Sequence, residues 1–182
     1  MTAHRLANAY AAEKCGGDFS KCAPVVFAVT QNRPTTALVA QAMQKGWQDA
    51  FPGWSIELSS TRCGYQTCTR GFRLTNASWG ADYPDPQDFI SFLWTTSASY
   101  NRYSASILQV DQLCAQADSM RDLSARIPLY QQAEQLLITQ GAAIPYAQPL
   151  QTYVVRPRVV NWRFASTLQV PFSIWQGTYL TR

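Results

Sequence analysis

The apolar and polar positions in the first third of the chain predict alternating helices and strands. Apolar residues recur at helical spacing in residues 4–13 and again in residues 34–50. Residues 24–30 are apolar on both faces, as in a central strand, whereas residues 54–59 alternate between apolar and polar, as in a half-buried strand. Strand, helix and strand in this order predict a parallel βαβ unit with a right-handed crossover.

The rest of the chain continues this mixed pattern. The expected elements are strands at residues 71–79, 143–147, 150–156 and 159–165, and helices at residues 89–94, 108–120 and 122–139. Pro128 does not fit comfortably inside the last helix, so we expect a kink there or a separate short turn before it. The whole pattern predicts an α/β fold, a mixed sheet flanked by helices, in a single domain that covers residues 1–182.

A short polar segment, W-G-A-D-Y-P-D-P at residues 79–86, joins a predicted strand to the apolar run after it. Asp85 stands where a helix N-cap belongs, the following proline suits the first helical position, and Asp88 adds the negative charge that a first turn favours. These roles leave Asp82 unexplained. Because ligands bind at strand ends in α/β sheets, Asp82 is a candidate binding residue. The alternative is a carboxylate that accepts hydrogen bonds from backbone amides of its own turn.

The five cysteines bear on the compartment in which the protein works. Cys15 with Cys22, and Cys63 with Cys68, lie in polar, loop-like sequence and predict two local disulfides, with Cys114 left as a buried free thiol. The alternatives are free thiols, or a zinc site made by the four paired cysteines, although no histidine is near and one pair is spaced more widely than zinc ligands usually are. Disulfides would imply an oxidising compartment outside the cytoplasm.

No apolar run approaches the roughly 20 residues needed to span a bilayer. The chain opens on a polar helical segment rather than on a secretory signal. That opening is expected either of a cytosolic protein or of one whose signal lies outside this sequence.

The residues that catalysis requires are sparse. The single histidine, His4, lies in a surface-type helix, which leaves no plausible Ser-His-Asp or Cys-His arrangement. No glycine-rich phosphate loop occurs, and the prolines between Asp82, Asp85 and Asp88 argue against a calcium loop of the EF-hand type. The net charge of +4 comes mostly from scattered arginines rather than from a stripe that could follow a nucleic acid. We therefore expect no catalysis, no cofactor, no metal and no nucleic-acid partner.

Two motifs carry a family resemblance. The first is W-x-x-D-Y-P-D-P-x-x-F at residues 79–89, and the second is R-x-x-L-Y at residues 126–130 followed by I-P-Y at residues 144–146. With the βαβ unit, they resemble the second lobe of the family 5 extracellular solute-binding proteins, the oligopeptide and dipeptide receptors of ABC importers. The resemblance implies one lobe of a type II periplasmic-binding-protein fold. It is the C-terminal lobe, with the first lobe absent from this chain.

The resemblance also implies a function and its residues. In peptide-binding members the matching carboxylate pairs with the peptide's α-ammonium and the matching tryptophan lines a side-chain pocket, which assigns these roles to Asp82 and Trp79. Tyr83, Tyr100 and Tyr103 are further candidates to line the cleft, or else they pack in the core. The expected partners are a peptide or other small solute and the membrane permease of an ABC transporter. The expected protein is a monomeric extracellular or periplasmic lipoprotein, membrane-anchored in its full-length form.

Two alternatives differ from peptide capture. Within the same family, the ligand could be an oligosaccharide or a metal chelate, neither of which needs an ammonium partner. In a different class, the chain would be a protein-interaction or sensor domain without a role in transport. Such a domain would form a stable dimer that buries more than about 1,000 Å².

Overall fold

The computed structural model describes residues 2–30, 34–61, 74–101, 104–148, 150, 152–163 and 172–181. The chain divides into two compact units, residues 1–78 and residues 79–182. No helix in the described ranges combines the length and the apolar character that a membrane span requires.

The first unit contains the predicted βαβ motif. Its elements are helix α1 (Ala3–Cys15), a 3₁₀ turn (Phe19–Lys21), strand β1 (Val25–Thr30), helix α2 (Pro34–Ala50), strand β2 (Ile56–Thr61) and strand β3 (Leu74–Thr75). Strand β1 lies between β2 and β3 and pairs in parallel with both, so the βαβ prediction is confirmed and extended by one strand.

The apolar character of β1 places it at the centre of this unit. Phe27 and Val29 are buried together with Ala40 of α2, and the ring of Phe27 packs on Trp47 with centroids 5.7 Å apart. The side-chain amide of Gln44 donates to the carbonyl of Ile56 at 2.6 Å, which ties α2 to the start of β2. The helix therefore covers one face of the sheet through both apolar and polar contacts.

A disulfide closes the loop after α1. The Cys15–Cys22 pair is bridged, as predicted, across the 3₁₀ turn. Gly16 ends the helix with φ of 65°, a left-handed conformation that glycine adopts without steric cost. Cys63 and Cys68 lie outside the described residues, so their pairing stays a prediction.

Replacing both Cys15 and Cys22 with serine is expected to lower the free energy of unfolding by about 2 kcal/mol, because the unfolded chain regains the entropy of an open loop. Urea denaturation of the oxidised protein and of the double variant measures the difference. Equal midpoints and slopes would show that the bridge adds nothing to stability.

The second unit is mainly helical. Its elements are a 3₁₀ turn (Pro86–Asp88), helices α3 (Ser91–Trp94), α4 (Leu108–Asp118), α5 (Leu123–Thr139) and α6 (Phe172–Gly177), and strands β4 (Val159–Val160) and β5 (Tyr179–Leu180), which pair antiparallel. Helices α4 and α5 pack around a core formed by Ile90, Val110, Cys114, Ala117, Tyr130, Ala133 and Leu137. Cys114 is the predicted buried free thiol, and burial raises the pKa of its sulfhydryl.

Several local predictions for this unit are wrong or only partly right. Pro128 lies inside one continuous helix α5, so the separate turn before it does not form. Residues 143–148 and 152–156 form no strand, because the chain after α5 folds back onto the helix end, where the amides of Ala142 and Ala143 donate to the carbonyl of Leu137. Of the strand expected at 159–165, residues 159–160 pair as β4 and residues 161–163 form no strand, while residues 164–165 lie outside the described residues. The tail after residue 165, for which the sequence pattern predicted no helix or strand, contributes α6 and β5.

Candidate functional site

Asp85 organises the segment at residues 79–86, which carries the first family motif and follows a predicted strand end. Its carboxylate accepts from the amide of Gln87 at 2.9 Å, so the predicted N-cap with Pro86 at the first position is confirmed. The element that it caps is a three-residue 3₁₀ turn, and the following helix α3 begins only at Ser91.

The same carboxylate joins the two family motifs. Arg126 of α5 donates to Asp85 through two nitrogens, at 2.9 and 3.1 Å, in the forked geometry that suits a guanidinium and a carboxylate. The two side chains are only 14% and 23% exposed, so solvent screens the pair weakly. Asp85, the second aspartate of the motif at residues 79–89, therefore links that motif to α5.

A chain of hydrogen bonds continues from this pair into the core. Arg126 donates to the hydroxyl of Tyr130 at 2.8 Å, and that hydroxyl donates to Asp118 of α4. Asp118 also accepts from the hydroxyl of Ser91 at 3.1 Å. Burial, followed by the bond to Asp118, raises the pKa of Tyr130 to about 12, so the phenol remains a protonated donor. The hydrogen bond that Arg126 donates to Tyr130 is in turn the main cause of a raised pKa for Arg126.

Asp88 lies in the first turn, as predicted, and has a further role that the sequence did not indicate. It is fully buried, and its Oδ2 atom accepts from the indole Nε1 of Trp79 at 3.0 Å and from the backbone amide of Asp82 at 2.8 Å. Asp88 therefore braces the turn by accepting from a backbone amide, which is the kind of bond proposed as the alternative role of the Asp82 carboxylate. The available signal was its position among apolar neighbours, directly before Phe89 and Ile90.

The structure leaves the side chain of Asp82 exposed. Tyr83, the next residue, is 38% exposed, and its hydroxyl donates to Gln87 at 3.2 Å. Partial burial and then the charge of Asp88 raise the pKa of Tyr83, so its hydroxyl stays protonated at neutral pH. An exposed carboxylate beside a partly exposed phenol can accept hydrogen bonds from a cationic ligand.

Two of the predicted aromatic residues do come together. The rings of Trp79 and Tyr100 meet edge to face at 5.5 Å, and both contact Phe92, at 5.8 and 4.5 Å respectively. Asn101 fixes the loop that carries Tyr100, since its amide donates to the carbonyls of Thr95 and Ala105 at 3.0 and 2.6 Å. Phe92 was not singled out from the sequence, and Tyr103 lies outside the described residues.

A separate cavity of about 510 Å³ lies near the end of the chain. Its walls are mainly aromatic and aliphatic, with one cationic side chain: Tyr153, Val154, Val155, Arg156, Val159, Trp162, Trp175, Thr178, Tyr179 and Leu180. Nothing in the sequence pattern marked it, because the segments that line it were expected to be strands or irregular.

No protein-family profile matches the chain. Three curated proteins are similar to it, two of which are as follows. The probable deoxycholate-binding periplasmic protein YgiS of Escherichia coli (strain K12) is 33% identical over 63% of this chain and 21% of its own length. The dipeptide-binding protein DppE of Bacillus subtilis (strain 168) is 28% identical over 67% of this chain and 23% of its own length. The matches thus span about a fifth of these relatives.

Among solved structures, the murein tripeptide binding protein MppA of Escherichia coli aligns over 100% of this chain and 36% of its own, with a TM-score of 0.71 and 20% identity. This similarity confirms the predicted fold class, a mixed α/β lobe of the periplasmic-binding-protein type. These two curated relatives are named as binding proteins, in agreement with the family resemblance that the two motifs carry.

Proposed function

We propose that this chain is the C-terminal ligand-binding lobe of a family 5 extracellular solute-binding protein and that it captures oligopeptides for an ABC importer. The reason is that its relatives are solute-binding proteins of this family. The observation that carries the proposal is the exposed carboxylate of Asp82, on a segment fastened by Asp85 to α5 and by Asp88 to Trp79. Relatives named for a dipeptide and a murein tripeptide favour peptides as the solute.

The chemistry of this site suits the amino end of a peptide. A carboxylate and an ammonium about 4 Å apart attract each other by about 4 kcal/mol at an effective dielectric constant near 20. Trp79 and Tyr100 would line the pocket for a side chain, with Tyr83 and Tyr103 as further contacts. Closure of a first lobe over the peptide would exclude water and strengthen the pairing at Asp82.

The remaining expectations follow from this role. The protein would work as a monomer outside the cytoplasm, held to the membrane by a lipid anchor, and would deliver its solute to a membrane permease without catalysis of its own. The whole described chain would act as one lobe. A capture protein needs binding and release rather than reactive groups, and the site holds a carboxylate and aromatic rings.

Native mass spectrometry of the full-length protein that contains this chain tests the proposal. The probe is a pool of synthetic di- to pentapeptides, with the same pool acetylated at the amino ends and a set of neutral oligosaccharides as comparisons. We expect adducts with the free-amino pool and few with the acetylated pool. Adducts with oligosaccharides alone would overturn the assignment of peptides.

A second candidate is an amphipathic organic anion. The relative with 33% identity is named as probably deoxycholate-binding, and the cavity near the chain end pairs apolar walls with Arg156, the one cation among its described lining residues. A steroid acid would place its rings against the apolar walls and its carboxylate at the guanidinium. Saturable binding of deoxycholate that Arg156→Ala weakens about tenfold, with no peptide binding, would favour this candidate.

A further inference from the structure

We infer that Asp88 is a positioning residue of the candidate site, which holds Trp79 and the backbone of Asp82 in the arrangement that receives a ligand's ammonium group. This inference rests on the proposed peptide-binding function and adds a residue to it. Asp88 itself is fully buried, so it acts on a ligand only through these two neighbours.

The geometry of Asp88 suits this role. A single oxygen, Oδ2, accepts from the indole of Trp79 at 3.0 Å and from the amide of Asp82 at 2.8 Å. The two donors belong to the residues assigned to the side-chain pocket and to the ammonium. The bond to the Asp82 amide fixes the backbone next to the carbon that carries the exposed carboxylate, so it sets the direction in which that carboxylate points.

The complete burial of Asp88 makes this brace stiff. Aspartate is rarely buried completely unless it is paired, yet no ion pair of the described residues includes Asp88, and Arg126 is engaged by Asp85. Its second oxygen, Oδ1, has no hydrogen-bond partner in the part of the chain that the structure describes. The two bonds at Oδ2 therefore hold the buried side chain, and through it they keep Trp79 and the backbone of Asp82 in one arrangement. A brace of this kind is what a preorganised binding group requires.

The preference of the protein for peptides with a free amino end shows whether Asp88 positions the site or only stabilises the fold. The probes are trialanine and amino-acetylated trialanine, titrated into the full-length protein, and the readout is the ratio of their dissociation constants. Loss of the brace changes where the Asp82 carboxylate lies, so the ratio falls. General damage to the fold would weaken both probes alike and leave the ratio unchanged.

Three variants make the test specific. Asp88→Ala removes the brace, and we expect the preference to fall about tenfold. Asp88→Asn keeps an acceptor oxygen for both donors, and we expect it to retain most of the preference. Asp122→Ala is the control: Asp122 also accepts from one amide and one side-chain donor, of Ser124 at 2.9 and 2.8 Å, but it caps α5 and contacts neither Trp79 nor Asp82. We expect this variant to keep the wild-type ratio.

Each outcome decides the inference. A preference that is unchanged in Asp88→Ala would overturn it, and so would an Asp88→Asn variant that loses as much as the alanine variant while its thermal unfolding stays like that of the wild type. If Asp88→Ala does not fold, Trp79→Phe takes its place: it removes the indole donor to Asp88 and keeps an aromatic ring, so the inference predicts a lower preference, and an unchanged preference would overturn it. The variant Asp82→Asn distinguishes failure of this inference from failure of the proposed function. If Asp82→Asn keeps the full preference, the proposed peptide function itself fails.

Discussion

Replacing Asp82 with asparagine is expected to weaken the binding of peptides with a free amino terminus by about 100-fold, which corresponds to roughly 2.7 kcal/mol. The exposed carboxylate supplies the charge that balances the ammonium, and asparagine keeps its shape without that charge. Loss of one partner of a desolvated charge pair costs this much because the remaining charge stays buried and unpaired. Calorimetric titration of the full-length protein with trialanine measures the change.

Amino-acetylated trialanine provides the control for this prediction. It has no ammonium, so Asp82→Asn should change its affinity less than about threefold. The hydrogen bond to Asp88 uses the backbone amide of Asp82 and not its side chain, so the variant should keep the fold of the segment. Equal losses for the free and the acetylated peptide would show that Asp82 acts through structure rather than through charge.

Replacing Arg126 with alanine is expected to lower the free energy of unfolding by about 3 kcal/mol. The change leaves the Asp85 carboxylate without its forked partner and removes a donor from the hydroxyl of Tyr130. The figure is at the lower end for a broken buried pair, because the two side chains are 14% and 23% exposed. Urea denaturation followed by circular dichroism measures the loss.

Two further variants separate the causes of this loss. Arg126→Lys keeps the charge but cannot donate through a fork, so it should recover only part of the stability. Arg121→Ala removes an exposed arginine from the connection between α4 and α5 and should cost less than about 0.5 kcal/mol. An Arg126→Ala variant as stable as Arg121→Ala would contradict the view that this pair fastens the motif.

The elements that depend on the local pattern of apolar and polar residues could be predicted from the sequence. Strand β1 is apolar at successive positions and is buried at Phe27, Ala28 and Val29, and its parallel pairing with β2 follows from the helix between them. The cap at Asp85 could also be predicted, because the amide that donates to its carboxylate lies only two residues away in the sequence. The strands expected after α5 failed because a strand also needs a partner, which local composition does not supply.

The connections within the candidate site are the part that the sequence could not reveal. Asp85 and Arg126 are 41 residues apart, so their pairing depends on how α5 packs rather than on either motif alone. The sequence alone does not distinguish Asp82 from Asp88, but burial does. Asp82 is exposed, whereas Asp88 is buried and accepts a hydrogen bond from the amide of Asp82. Only the tertiary structure distinguishes the exposed carboxylate of Asp82, which we propose binds the ligand, from the buried one of Asp88.

A crystal structure of the full-length protein with bound trialanine tests the central claim most directly. The account predicts that the terminal nitrogen of the peptide lies within about 3.2 Å of an oxygen of the Asp82 carboxylate. It also predicts that Trp79 remains hydrogen-bonded to Asp88 in that complex. A peptide whose amino end pairs with another residue, or faces solvent, would contradict the account.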